Sequence, residues 1–222
     1  MEDELIKAVP EALKAGNKML DIGDKLGSFL SRMLGDVPEN MVGFLGGDYL
    51  RHLRIRNVEK LSERTSKILK DRGIEEGTIP VSPNIALPLL NEAKDESREE
   101  LQELWARMLA NAMDPNRTNA VRQNIIEIVR TFDPIDAQLM NVAYDNHVAS
   151  YGNDDDCIGQ QVEVHELLEK LVTNISEFEL SIAKLHDLKC IVTIGRSDEV
   201  TGTTSAIAIA HLGFEIMRAC SP

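Results

Sequence analysis

Residues 101–115 read LQELWARMLANAMDP, and the spacing inside this stretch decides the fold class. Leu101, Leu104, Trp105, Met108, Leu109 and Ala112 recur at i, i+3, i+4, i+7, i+8 and i+11, which puts all six on one face of an α-helix. Gln102, Glu103, Arg107 and Asn111 fall on the remaining faces. Just upstream, Ser97 and Glu100 have the Ser-x-x-Glu spacing of a capping box, in which each side chain takes up a free N–H of the first turn. Asp114-Pro115 stops the helix, because the residue before a proline is driven out of helical geometry. Trp105, the single tryptophan of the chain, sits at the centre of the stripe. A ligand cage would bring further aromatics at helical spacing and none follows, so the stretch builds a core and not a site.

The same grammar runs outward in both directions. Aromatic residues make up only 4% of the 222-residue chain, so the core rests on Leu, Ile, Val, Met and Ala, which favours packed helices over aromatic-rich sheets. Upstream, Leu50, Leu53, Val58, Leu61, Thr65, Ile68 and Leu69 form one helical stripe, with Gly73 where a C-terminal cap belongs. The proline-punctuated GTIPVSPNIALPLL (77–90) leads into a short apolar helix near 85–93. Downstream, a helix over about 119–131 carries Val121, Ile125, Ile128 and Val129. Asp133 as N-cap, Pro134 at the first helical position and Asp136 in the first turn then start a new unit. After the acidic loop ASYGNDDDCIGQQ (149–161) come helices near 164–172 and 177–188, strands CIVTI (190–194) and TTSAIAIA (203–210), and a closing helix HLGFEIMRAC (211–220). Three helices, a hairpin and a helix are the order of a winged-helix module. The expectation is a mainly α protein: an amphipathic, glycine-punctuated helical arm (1–48), a central helical unit (49–133) and a winged-helix-like unit with a small β-hairpin (134–222).

Charge bounds the partners. The net charge is −13, yet residues 51–72 hold eight Lys or Arg against three Asp or Glu. Arg51, Arg54, Arg56, Arg64 and Lys67 form a basic helix face: either a binding surface for phosphate or acidic groups, or a solvated face balanced by the acidic bulk. Residues 134–222 hold five Lys or Arg against fourteen Asp or Glu, and SEFELSIAKLHDLK (176–189), in the recognition-helix position, offers no excess of bases. Phosphate contacts dominate nucleic-acid affinity, so a protein partner or a second copy of the chain is expected instead of DNA. A winged-helix DNA-binding regulator using the basic helix is the alternative.

In residues 1–48, Leu5, Val9, Leu13, Ile22, Leu26, Phe29, Leu30 and Met33 recur every three or four residues or at longer multiples, broken by Gly16, Gly23, Gly27 and Gly35. This segment either touches a membrane surface peripherally or packs on its own domain or a partner. Asp21, Asp24 and Asp36 oppose an anionic bilayer. The acidic start MEDELIKAVPEAL is no signal peptide, and no uncharged apolar run reaches the ~18 residues of a spanning helix. With three cysteines, Cys157, Cys190 and Cys220, in no metal or redox spacing, a cytoplasmic protein is expected.

Catalytic motifs are absent from the sequence: no G-x-x-x-x-G-K-[ST], G-x-S-x-G, H-E-x-x-H or strand-borne G-x-G-x-x-G occurs. His52, His147, His165, His186 and His211 are scattered singly. The aspartates 154–156 lack the spacing and closing Glu of a calcium loop. Cys220 is either a reactive thiol or a small buried apolar residue, and the second suits a terminal helix better. No catalytic residue, cofactor or metal is expected.

PNIALPLLNEAKDESREELQELWARMLANAMDP (83–115), DPIDAQLM (133–140) and the closing HLGFEIMRAC together resemble the abortive-infection alpha family of bacterial proteins, over roughly 49–220. The resemblance implies a role in defence against phage, in which an infected cell halts before phage matures. It brings no catalytic residues; Leu104, Trp105, Leu109, Asn111, Asp114 and Pro115 carry over as structural positions of the motif.

Overall fold

In the computed structural model, residues 25–35, 50–152, 161–171, 174–195 and 204–221 are described. Helix α1 covers 25–34, and α2 (Arg51–Asp71), α3 (Pro83–Asp95) and α4 (Glu99–Met113) follow. A 3-10 turn, Thr118–Ala120, precedes α5 (Gln123–Val129) and α6 (Pro134–Tyr151). A two-residue strand β1 (Val162–Glu163), α7 (Val164–Leu171) and α8 (Ile175–Asp187) lead to β2 (Ile191–Gly195), β3 (Thr204–Ile209) and α9 (His211–Ala219). The chain is mainly helical, with a small antiparallel sheet near its C-terminal end ordered β1-β3-β2.

Helix ends form where local chemistry dictates. Gly73 takes φ +70° after α2, a conformation that costs a residue with a Cβ about 1 kcal/mol or more. Its N–H bonds to the Lys70 carbonyl (2.9 Å) and that of Ile74 to Leu69 (3.1 Å), the paired closure of a Schellman motif. At α6 the box is reciprocal: Asp133 caps the third amide of the helix while the Asp133 N–H bonds to Asp136 (2.7 Å). The Ser97–Glu100 box, in contrast, does not form. Helix α4 starts at Glu99 behind Arg98, and Glu96 accepts the Arg98 amide at 2.8 Å and its guanidinium at 2.8 and 3.0 Å. Arg98, not Ser97, therefore stands in the capping position, one residue too late for Ser97 and Glu100 to be cap and N3. The helix expected over 119–131 is also shorter, starting as a 3-10 turn and resuming at Gln123.

Helix α4 is the hub. It packs on α2, α3, α6 and α9, so in its middle only Glu103 and Arg107 reach the surface, and Gln102 and Asn111, off the apolar stripe, are fully buried. The Gln102 Nε2 donates to the carbonyls of Ala93 (3.0 Å) and Glu96, while its buried Oε1 has no partner. Trp105 is 2% exposed. One apolar cluster runs from Leu26, Phe29 and Met33 of α1 through Leu61, Trp105 and Phe132 to Leu139, Ile207 and Phe214. The arm's apolar stripe at Leu26, Phe29 and Met33 is thus turned onto the protein itself, and Val81 N–H ties the end of α1 down through Met33 O (2.7 Å). The rest of 1–48 lies outside the described residues. In the sheet, β3 is central: Ile207 faces Val162 on one side and Thr193 on the other, and Ala206 to Ile209 are all buried.

Candidate functional site

The basic face of α2 divides into two sets. Arg54 pairs with Asp95 (2.6 Å), Lys60 with Glu99 (2.5 Å), and Arg64 with Glu99 and, at 3.9 Å, Glu103. These cations face the α3–α4 turn and pin its acidic residues. Glu99 is held below the usual carboxylate range by its bonds to Lys60 and Arg64. Arg51, Arg56 and Lys67 are exposed and have no ion-pair partner among the described residues. Two of the five candidate residues, Arg54 and Arg64, therefore serve the fold, while three remain at the surface.

Leu104, Trp105 and Leu109 are core, and Pro115 is exposed at the end of α4. Asn111 and Asp114 do more than end a helix. Asn111 Nδ2 donates to the carbonyls of Ala219 (2.8 Å) and Ser221 (3.1 Å), the final carbonyls of α9 and its exit. Arg72 Nη2 donates to Ser221 O (3.1 Å) and Nη1 to Asp114 (3.4 Å). Arg117 Nη1 lies 3.4 Å from both Asn111 Oδ1 and Ser221 Oγ. A helix C-terminus leaves carbonyls without intrahelical donors and carries a partial negative charge; this clamp supplies both donors and positive charge. Burial, then the Arg117 charge, lowers the affinity of Arg72 for its proton, and Asp114 opposes them. The sequence signals Asn111 and Asp114 only as motif positions, and nothing in it ties them to Ser221.

A second polar centre joins α6 to α8. Asp136, 1% exposed, accepts Ser181 Oγ, the Asp133 amide and Lys184 Nζ (2.7 Å). Lys184 also reaches Asp133 (3.2 Å) and the Thr131 carbonyl. Burial would lower the Lys184 pKa, but Asp136 and Asp133 outweigh it and hold it above 10.5. Burial likewise pushes Asp133 up, and Lys184 with Arg98 more than reverses that, leaving it below 3.8. Glu96, which burial raises and Arg98 lowers further, ends below 4.5. Depressed carboxylates contribute stability above their unfolded values and lose it as pH falls through the folded ones; raised Lys184 contributes below its unfolded value and loses it at higher pH. The melting temperature should therefore be flat from about pH 6 to 9 and fall below about pH 4. A melting temperature that rises on acidification, followed by circular dichroism, would contradict this assignment. Asp136→Ala should cost about 2–3 kcal/mol in urea titration, since it strands Ser181 and Lys184; a neutral result would show the centre to be dispensable.

Beside this centre, Ile135, Leu171, Leu180, Glu177 and Lys184 line a groove of about 560 Å³. A second groove of about 410 Å³, between α1 and α2, is lined by Phe29, Arg32, Glu59, Ser62 and Ser66. The wall of the first groove also carries Asp133, Asp136, Ser181 and Lys184 of the polar centre, where Ser181 and Lys184 both donate to Asp136. Cys190 and Cys220 are buried, and burial pushes both thiols up to about 12, which leaves almost no thiolate near neutral pH. For Cys220 this is the buried apolar alternative. Cys157 and the aspartates 154–156 lie outside the described residues. His147 is buried with its ring 4.8 Å from Phe214, an edge-on aromatic contact, whereas His52, His165, His186 and His211 are exposed. Among the described residues no group of three or more His, Cys, Asp or Glu is placed to hold a metal, and no helix is long and apolar enough to cross a membrane.

No curated protein and no solved structure matches the chain. The family described as abortive infection alpha is matched over residues 56–218, from the second turn of α2 to the last turn of α9. With more than half of its length in that match, the chain belongs to the abortive infection alpha family.

Proposed function

We propose that this protein acts inside the bacterial cell in defence against phage, by contact with other protein surfaces and without chemistry of its own. Membership of the abortive infection alpha family over 56–218 carries the proposal. The thiols at about 12 and the singly placed histidines support the non-catalytic part. Expression of the full chain in a phage-sensitive bacterium should lower the yield of some phages, measured as burst size and plaque number. No protection across a broad panel in a closely related host would remove the defence role. Reversing Arg51, Arg56 and Lys67 to Glu separates the two roles for the basic face. Protection lost with the fold intact points to an acidic or phosphate-bearing partner, and protection retained to a solvated face.

We further infer that residues 134–221 form a winged-helix module, with α8 in the recognition position and β2–β3 as the wing. The order α6, β1, α7, α8, β2, β3, α9 and the β1-β3-β2 sheet support this. Its surface is unsuited to DNA: α8 exposes Ile175, Glu177, Glu179, Leu180 and Asp187, where a recognition helix needs donors and positive charge. The full chain should show no measurable binding to random duplex DNA at physiological salt in fluorescence anisotropy. Sub-micromolar binding would promote the regulator alternative.

A further inference from the structure

The groove of about 410 Å³ between α1 and α2 holds opposite charges that do not meet. Arg32 of α1 lines one wall, and Glu59 and Glu63 of α2 line the other. None of the three forms an ion pair among the described residues, whereas Arg54, Lys60 and Arg64 of the same α2 each find a carboxylate. Arg32 makes one hydrogen bond among the described residues, from Nη2 to Ser66 Oγ at 3.0 Å, and its buried Nε has no partner. Lys25 and Ser28, which also border the groove, have interactions of their own.

The spacing of these groups defines what fits between them. Glu59, Ser62, Glu63 and Ser66 recur at i, i+3, i+4 and i+7, so α2 presents them on one face. A guanidinium beside a hydroxyl offers donors to a carboxylate. Glu63 lies three residues before Ser66, roughly 4.5 Å along the helix axis, and offers an acceptor to an ammonium. A lone anion drawn to Arg32 is repelled by Glu63, and a lone cation drawn to Glu63 is repelled by Arg32. A molecule that carries both signs close together satisfies both. Glu59, one turn further on, adds a second carboxylate, which suits a side chain with a positive charge of its own.

We propose that this groove binds a small zwitterion of the basic α-amino acid class. Its carboxylate is held by the Nη groups of Arg32 and the Ser66 hydroxyl, its ammonium by Glu63, and its cationic side chain by Glu59. The two walls belong to different helices, so the bound molecule also fastens α1 to α2, alongside the buried Leu26, Phe29 and Met33. The site is independent of any role in phage defence.

Isothermal titration of the full chain with L-lysine tests it. Saturable binding at or below about 10 mM is expected. Blocking either charged group of the probe, as L-lysine methyl ester or Nα-acetyl-L-lysine, should weaken binding by roughly tenfold or more, and so should Arg32→Gln or Glu63→Gln. Neither substitution removes an ion pair, so both variants should keep the parent melting temperature, and the blocked probes test the same contacts on the unaltered chain. L-Lysine should also slow amide hydrogen exchange in α1, measured by mass spectrometry. No saturable binding of L-lysine, equal binding of the blocked probes, folded variants that bind as the parent does, or unaltered exchange in α1 on saturation would each overturn the proposal.

Discussion

Gly213→Ala should destabilise the protein by about 4 kcal/mol, at the upper end of what a single methyl group does. Intrinsic propensity points the other way, since alanine in a helix interior is favoured over glycine by about 1 kcal/mol. The geometry decides. A Cβ on Gly213 would press into the carbonyl oxygen of Cys190 and stand 2.8 Å from its carbon and 3.0 Å from Met140 Cε. Met140 can swing aside, but the Cys190 carbonyl cannot, because it also accepts the Ala210 amide at 2.9 Å. Relief requires α9 to lift from β2, which uncovers Phe214, Ile216 and Met217. Gly27→Ala is the control: a Cβ there meets nothing within 4 Å, so the exposed α1 position should gain about 0.5–1 kcal/mol. Urea titration of both variants gives opposite signs on this account. If Gly213→Ala matches Gly27→Ala, the close approach of α9 to β2 is wrong.

Trp105→Ala should cost about 3–5 kcal/mol. The indole is 2% exposed at the middle of the hub helix, and the surrounding side chains belong to several helices that cannot all close on the void. For a chain of this length that corresponds to a fall in melting temperature of about 10 °C. Trp105→Phe, which keeps most of the volume, should cost much less. An unchanged melting temperature in the alanine variant would remove Trp105 from the core.

The elements that sequence spacing located are those specified by neighbours in the chain. The apolar face of α4, the Gly73 closure and the start of α6 with Asp133 as its N-cap need only residues a turn or so apart, and all three are present. The basic residues of α2 were visible as a cluster, but which of them would be consumed was not. Arg54 and Arg64 find their partners 41 and 35 residues away, and no local pattern distinguishes them from Arg51 and Arg56. Asn111 shows the same limit more strongly, since it serves Ala219 and Ser221, 108 and 110 residues away. The Ser97–Glu100 box failed for the opposite reason: the spacing was right, but the helix begins at Glu99 with Arg98 in the capping position, so the box is out of phase by one residue. Strand β1 is two residues long and exists only because β3 has an edge to offer.

The two buried thiols sit at opposite ends of α9. Cys190 lies beneath its start, where Gly213 meets the backbone of β2, and Cys220 follows its last turn, inside the clamp of Arg72 and Asn111. Neither is accessible to an alkylating reagent in the native state, so each reacts only as fast as its surroundings open. They are clocks, already installed, for the two ends of the closing helix. With Cys157 changed to serine, the ratio of their alkylation rates reports which end lets go first, and loss of the Arg72 or Asn111 contacts should speed the clock at Cys220 before the one at Cys190.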